Sequence, residues 1–101
     1  MKVLIMGLAL AGAGFATAAQ ADEALAKKHN CLACHTVDKK TVGPAYKDIA
    51  QKYKGQNVAA TLQQKVKKGG QGVWGPIPMP PNAAVPDADI KTLVDWILKM
   101  G

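Results

Sequence analysis

Cys31-Leu32-Ala33-Cys34-His35 is the one place in this 101-residue chain where two thiols and an imidazole stand together. The cysteines are three positions apart, about one helical turn, so both sulfurs can reach one flat ligand from the same side. His35 follows at once and can sit beneath the centre of that ligand. This is the attachment spacing of a c-type haem, and the histidine makes it far more specific than a Cys-x-x-Cys pair. It implies two thioether bonds to the haem vinyl groups and a proximal nitrogen from His35.

Two other uses of the same residues fit less well. A thioredoxin-like redox pair needs a strand–helix–strand context, which the chain lacks. Tetrahedral zinc needs a fourth donor, and outside the motif only His29 is available. For the second axial position of a haem iron the candidates are His29, Met79 and Met100. His29 lies two residues before Cys31 and cannot easily swing across the ring. Met100 ends a helix whose apolar face is better used in packing. Met79 comes 44 residues after His35, inside Ile77-Pro78-Met79-Pro80-Pro81. The prolines fix the backbone on both sides and present the thioether with little freedom. Met79 is therefore the expected sixth ligand.

These residues need elements to place them. Four helices are predicted. The first covers about Asp22 to Asn30, with Asp22 as cap and Glu23 in its first turn. The second covers Pro44 to Tyr53, with Pro44 in its first turn and Ala45, Tyr46, Ile49 and Tyr53 at helical spacing. The third is capped by Asn57 and ended by Gly69-Gly70, with a stripe of Val58, Thr61, Leu62, Lys65 and Val66. The fourth starts at Asp87 after Pro86, and its apolar face (Ile90, Leu93, Val94, Trp96, Ile97, Leu98) is broad enough to bury on two sides. Half of the 18 residues from Gly69 to Pro86 are Gly or Pro, so no regular element is expected there. A loop of that length in so small a domain calls for a function.

The first 21 residues read differently. Lys2 precedes an apolar run from Val3, and Ala19-Gln20-Ala21 fits a small-x-small cleavage site. The expectation is a secretory leader over 1–21 and a domain over 22–101. An uncleaved anchor is the alternative, but the apolar run is at the short limit for a bilayer and carries Gly7, Gly12 and Gly14. Cleavage would send the domain to the bacterial periplasm, with no stable membrane insertion.

Composition narrows the function further. The 13 basic residues are all lysines against seven acids, for a net charge of +6. A multidomain enzyme, a disordered acidic tail and a polytopic membrane protein are excluded. Nucleic acid is a poor partner for an exported chain without arginine. At this size a core alone supplies only about 3–5 kcal/mol. The sequence has five aromatic residues, one of them in the leader, so a porphyrin would fill the middle.

From Asp22 to Gly101 the chain resembles the small bacterial class I cytochromes c of the c-551 (c8) type. The resemblance rests on Cys31-Leu-Ala-Cys-His35, Val42-Gly-Pro-Ala-Tyr-Lys-Asp48 and Gln71-Gly-Val-Trp-Gly-Pro-Ile-Pro-Met-Pro-Pro-Asn82. It implies an all-α fold of about four short helices around one covalent haem c, with the terminal helices crossing and iron held by His35 and Met79. It further implies a Pro44 carbonyl accepting from His35 Nδ1–H, Trp74 along the haem edge with its indole N–H available to a propionate, and Asn82 donating to the Met79 sulfur. Plain packing is the alternative for Trp74, and turn chemistry for Asn82. One departure concerns the helix crossing: Leu25 stands where the group often has an aromatic.

A six-coordinate iron has no open position for peroxide, oxygen or nitrite, which leaves one-electron transfer. Thioether ligation favours the reduced iron. The lysine excess suits acidic partner surfaces. The resemblance suggests respiratory partners such as a bc1-type donor and a terminal oxidase or nitrite reductase acceptor, served by a monomer. A peroxidase after loss of Met79 and a thiol oxidoreductase using Cys31 and Cys34 are the competing classes.

Overall fold

Helix α1 runs from Ala18 to Lys28 and begins four residues before the expected cap at Asp22. The reason is local: Ala18-Ala19-Gln20-Ala21 are strong helix formers and carry the helix upstream. The computed structural model describes residues 18–100, so most of the expected leader lies outside the described residues. Lys27 and Lys28 occupy the last turn, where positive charge opposes the helix dipole. Asn30 then adopts a left-handed conformation (φ 62°), which reverses the chain and ends the helix. A single 3₁₀ turn over Cys31–Ala33 follows directly.

Helix α2 is shorter than expected, Tyr46–Lys52, and Pro44 precedes it rather than forming its first turn. Tyr46 N–H donates to Thr36 O and Lys47 N–H to Val37 O, so the loop after the cysteine motif satisfies the helix's first donors. Helix α3 spans Ala59–Lys68 with Val58, not Asn57, at its cap and no side-chain capping bond. Gly69 ends it at φ 81°, as the glycine pair predicts. Helix α4 covers Asp87–Leu98, with Pro86 at the cap and Asp87 and Asp89 in the first turn.

The segment after α3 corrects the expectation of an irregular loop. Strands β1 (Gly70–Gly72) and β2 (Gly75–Met79) pair antiparallel, with Gly70 opposite Met79 and Gly72 opposite Gly75. Gly72 and Gly75 flank the tip at φ 100° and 116°, conformations that disfavour any other residue. Pro76 and Pro78 are tolerated because β2 is an edge strand, and the register pairs its Gly75 and Met79. Glycine and proline shape this hairpin instead of preventing it.

Helix α4 packs against the other three helices and belongs to two separate apolar clusters. Leu93 and Trp96 join Ala26 of α1 and Tyr46 of α2, with Leu25 packed at the edge. Ile90 and Val94 join Val85, with Ala59, Leu62 and Val66 of α3 alongside. The broad face of α4 is thus buried on two sides, and the space between the clusters is the site.

Candidate functional site

A cleft of about 440 Å³ receives both halves of the chemistry. Cys31, Cys34 and His35 line it, and so do Trp74, Met79 and Asn82. Its apolar wall comes from both clusters: Ile49, Leu93 and Ile97 from the first, Leu62, Val66 and Val94 from the second. A flat apolar group seated there would join the two halves of the core. Two thiols, an imidazole, a thioether and apolar walls in a space of this size form the donor set and cradle of a haem.

The cysteine motif is held by its backbone. Cys34 N–H and His35 N–H both donate to Cys31 O, which closes the turn and sets the sulfurs one turn apart. Cys34 O in turn accepts from Gly43 N–H and from Thr41 Oγ1, both at 2.7 Å. Burial pushes the Cys31 thiol up from its ordinary value. That is opposite to the shift that activates a nucleophilic redox cysteine.

His35 is fixed from three directions. Its Nδ1 lies 2.7 Å from Pro44 O, and because a carbonyl only accepts, Nδ1 carries the proton and Nε2 keeps its lone pair. Such a bond orients the ring and raises its basicity as a ligand. A Cβ on Gly43 would stand 2.6 Å from His35 Cε1, so only glycine lets the ring lie against this backbone. On another side Tyr46 stacks on the imidazole at 5.2 Å between centroids and 22° between planes. Tyr46 also meets Trp96 edge-on at 5.5 Å. The ring–ring contact that Leu25 cannot supply to Trp96 therefore comes from α2. Sequence reasoning missed the support that Gly43 and Tyr46 give to His35; their place in Gly43-Pro44-Ala45-Tyr46 was the available signal.

Met79 ends β2 and is pressed against the end of α3. A Cβ on Gly69 would stand 2.5 Å from Met79 O and 3.0 Å from Pro81 N. Asn82 fastens the same stretch. Its backbone N–H reaches Val66 O and Lys67 O, and its Nδ2 donates to Val66 O and Pro80 O at 3.1 and 3.2 Å. Both side-chain hydrogens thus face carbonyls, where the resemblance implied the Met79 sulfur. The cause is the helix end: Val66 and Lys67 lie in the last turn of α3, whose carbonyls lack intrahelical donors, and Asn82 supplies them.

The other expected residues fall as follows. Trp74 lines the cleft at 41% exposure, with Lys52 Nζ 5.6 Å from its ring centre. Met100 packs on the Tyr46–Trp96 cluster. His29 Nε2 lies 3.0 Å from Asp89 Oδ2 on α4, so the fourth donor that zinc would need is engaged elsewhere. Val42, Val73, Trp74 and Ile77 are all at least 41% exposed and line the same cleft.

Helices wrapped around a cleft with this donor set define a small helical c-type haem protein. The chain belongs to the cytochrome c family, whose model matches residues 19–101. It is 60% identical to cytochrome c-552 of Nitrosomonas europaea over 93 residues, which cover 91% of this chain and 87% of the relative. It is 52% identical to cytochrome c-551 of Pseudomonas aeruginosa, over 97% of this chain and 91% of that one. The crystal structure of wild-type Nitrosomonas europaea cytochrome c552 superposes with a TM-score of 0.76 at 57% identity, covering 78% of this chain and 99% of the other. These likenesses place it among the class I cytochromes c of the c-551 type. It carries one covalent haem c and is an electron carrier with redox protein partners, not an enzyme.

Proposed function

We propose that this chain is a periplasmic one-electron carrier whose haem is attached through Cys31 and Cys34 and whose iron is held by His35 and Met79. The observation that carries this reading is the single cleft shared by the cysteine motif and the Met79 hairpin, with His35 Nε2 left free by the bond from Nδ1 to Pro44. The bound haem supplies reversible one-electron oxidation and reduction of its iron. The chain does the rest. Pro44, Gly43 and Tyr46 keep His35 in one orientation, and Gly69 and Asn82 seat the Met79 loop on α3. Leu62, Leu93, Val94 and Ile97 exclude water from the cleft.

Partners meet the mouth of the cleft. Val42, Val73, Trp74 and Ile77 expose apolar surface there, and Lys40 and Lys65 line the same cleft. An apolar contact amid lysines suits an acidic-rimmed redox protein. The partner classes proposed are a bc1-type donor and, as acceptor, a terminal oxidase or, where the chain serves denitrification, a nitrite reductase, in a respiratory setting with the carrier acting as a monomer.

Residues 1–21 are proposed as a leader cleaved after Ala21. Cleavage would leave α1 starting at Asp22, with Glu23 in the first turn, where negative charge is favoured. No helix among the described residues is long and apolar enough to cross a membrane. The test is intact mass and location. The reading expects a periplasmic protein with the mass of residues 22–101 plus one haem that resists acid–acetone extraction. A retained leader sinks the export reading, and extractable haem sinks the covalent attachment.

A further inference from the structure

The stretch that carries Met79 is gripped by α3 at two points. One is the Asn82 cluster on the carbonyls of Val66 and Lys67. The other lies further along, where Lys67 Nζ donates to Val85 O at 2.9 Å and stands 3.0 Å from Asp87 Oδ1. Val85 is itself buried against Ile90 and Val94. One turn of helix thus holds residues 80–87 by its backbone and by a side chain.

The Lys67 contact is distinct from the general role of lysines at a helix C-terminus. Lys65 and Lys68 share the last turn, so the dipole is served without it. Lys67 reaches across 18 residues, and its side chain is only 31% exposed. Asp87 is 88% exposed, so the ion pair contributes little and the bond to the Val85 carbonyl is the substantive tie.

We propose that Lys67 is a positioning residue for Met79: by clamping Val85 to α3 it keeps the Met79 loop seated and sets how readily the thioether gives up its axial place. This rests on the reading of Met79 as the sixth ligand. With haem bound, the exchange concerned would be a ligand substitution without redox change, in which an added nitrogen donor would displace the Met79 thioether.

The probe is imidazole, titrated at neutral pH into the haem-loaded ferric protein and followed by its absorption spectrum. Lys67→Leu keeps an apolar stem and adds no competing ligand. It should raise the apparent imidazole affinity roughly fivefold, the effect of losing one charged, partly screened hydrogen bond. Lys67→Arg should return the affinity to within about twofold of wild type, the usual error of such comparisons. Asp87→Asn should lie in that same range. An unchanged affinity in Lys67→Leu overturns the proposal. So does an equal rise in Leu25→Ala, which loosens the α1–α4 packing away from the loop, because the effect would then be one of general stability. Met79→Ala tests the underlying reading separately: if its imidazole affinity and spectrum match wild type, the axial assignment fails, whatever Lys67 does.

Discussion

At the scale of single residues, two glycines, Gly43 beside His35 and Gly69 beside Met79, shape the site along with its proposed ligands. Gly43 lies outside the left-handed region, so its requirement is steric: any Cβ enters the His35 ring. Gly43→Ala should therefore shift the imidazole from Pro44 O, destabilise the protein by about 1–3 kcal/mol as overpacking does, and alter the reduction potential. Denaturant melts with potentiometry check this; an unchanged potential would show that the Pro44 bond does not orient the ring. If Met79 is the sixth ligand, as proposed, it is the residue at which electron transfer and catalysis part. Met79→Ala should leave the haem attached and His35 bound but open the sixth position to water. The ferric iron should turn largely high-spin, its potential should fall, and weak peroxidase activity should appear. Persistence of the low-spin spectrum and of the iron–thioether charge-transfer band would refute the assignment.

At the scale of elements, α4 is the part that the others share. Trp96 is 8% exposed and packs on Ala26 of α1 and Tyr46 of α2, and Tyr46 in turn stacks on His35. Trp96→Ala should cost about 3–5 kcal/mol, the usual loss for a buried tryptophan. Iron ligation should survive, because neither proposed ligand lies on α4. Thermal melts and absorption spectra read the two effects apart: an unmoved melting temperature would remove Trp96 from the helix contact. The hairpin works differently. It has two short strands and little buried surface, and the chain just after it is tied to α3 by Asn82 on the Val66 carbonyl and by Lys67 on the Val85 carbonyl.

At the scale of the molecule, the sequence carries a net charge of +6, or +5 without Lys2 of the proposed leader, with all its basic charge on lysines, and Lys40 and Lys65 line the largely apolar cleft. Long-range attraction should speed encounter with an acidic partner and weaken as salt screens it. The screening length falls from about 30 Å at 0.01 M salt to about 8 Å at 0.15 M. The bimolecular rate of electron transfer to an acidic acceptor should therefore decline over that range in stopped-flow measurements. A flat profile would assign recognition to the apolar rim alone.

The haem attachment, the family and the helical class were all legible in the chain itself, because they rest on short-range pattern. Cys31, Cys34 and His35 are neighbours in sequence, the apolar face of α4 repeats at helical period, and Pro-Met-Pro marks Met79 without reference to any partner. Helix starts were less legible. Thr36 and Val37 carbonyls cap α2 in place of a side chain, and Ala18–Ala21 extends α1 past its acidic start. The hairpin was hidden because glycine and proline are read as breakers until the pairing of Gly70 with Met79 and Gly72 with Gly75 is known. Tertiary structure alone decided what the side chains do between distant segments. Asn82 turned to α3 because unpaired carbonyls wait at that helix end, and Tyr46 came to lie between His35 and Trp96 because α2 packs on α4. Such roles depend on closing long loops, and local sequence carries no record of which donor will meet which acceptor once they close.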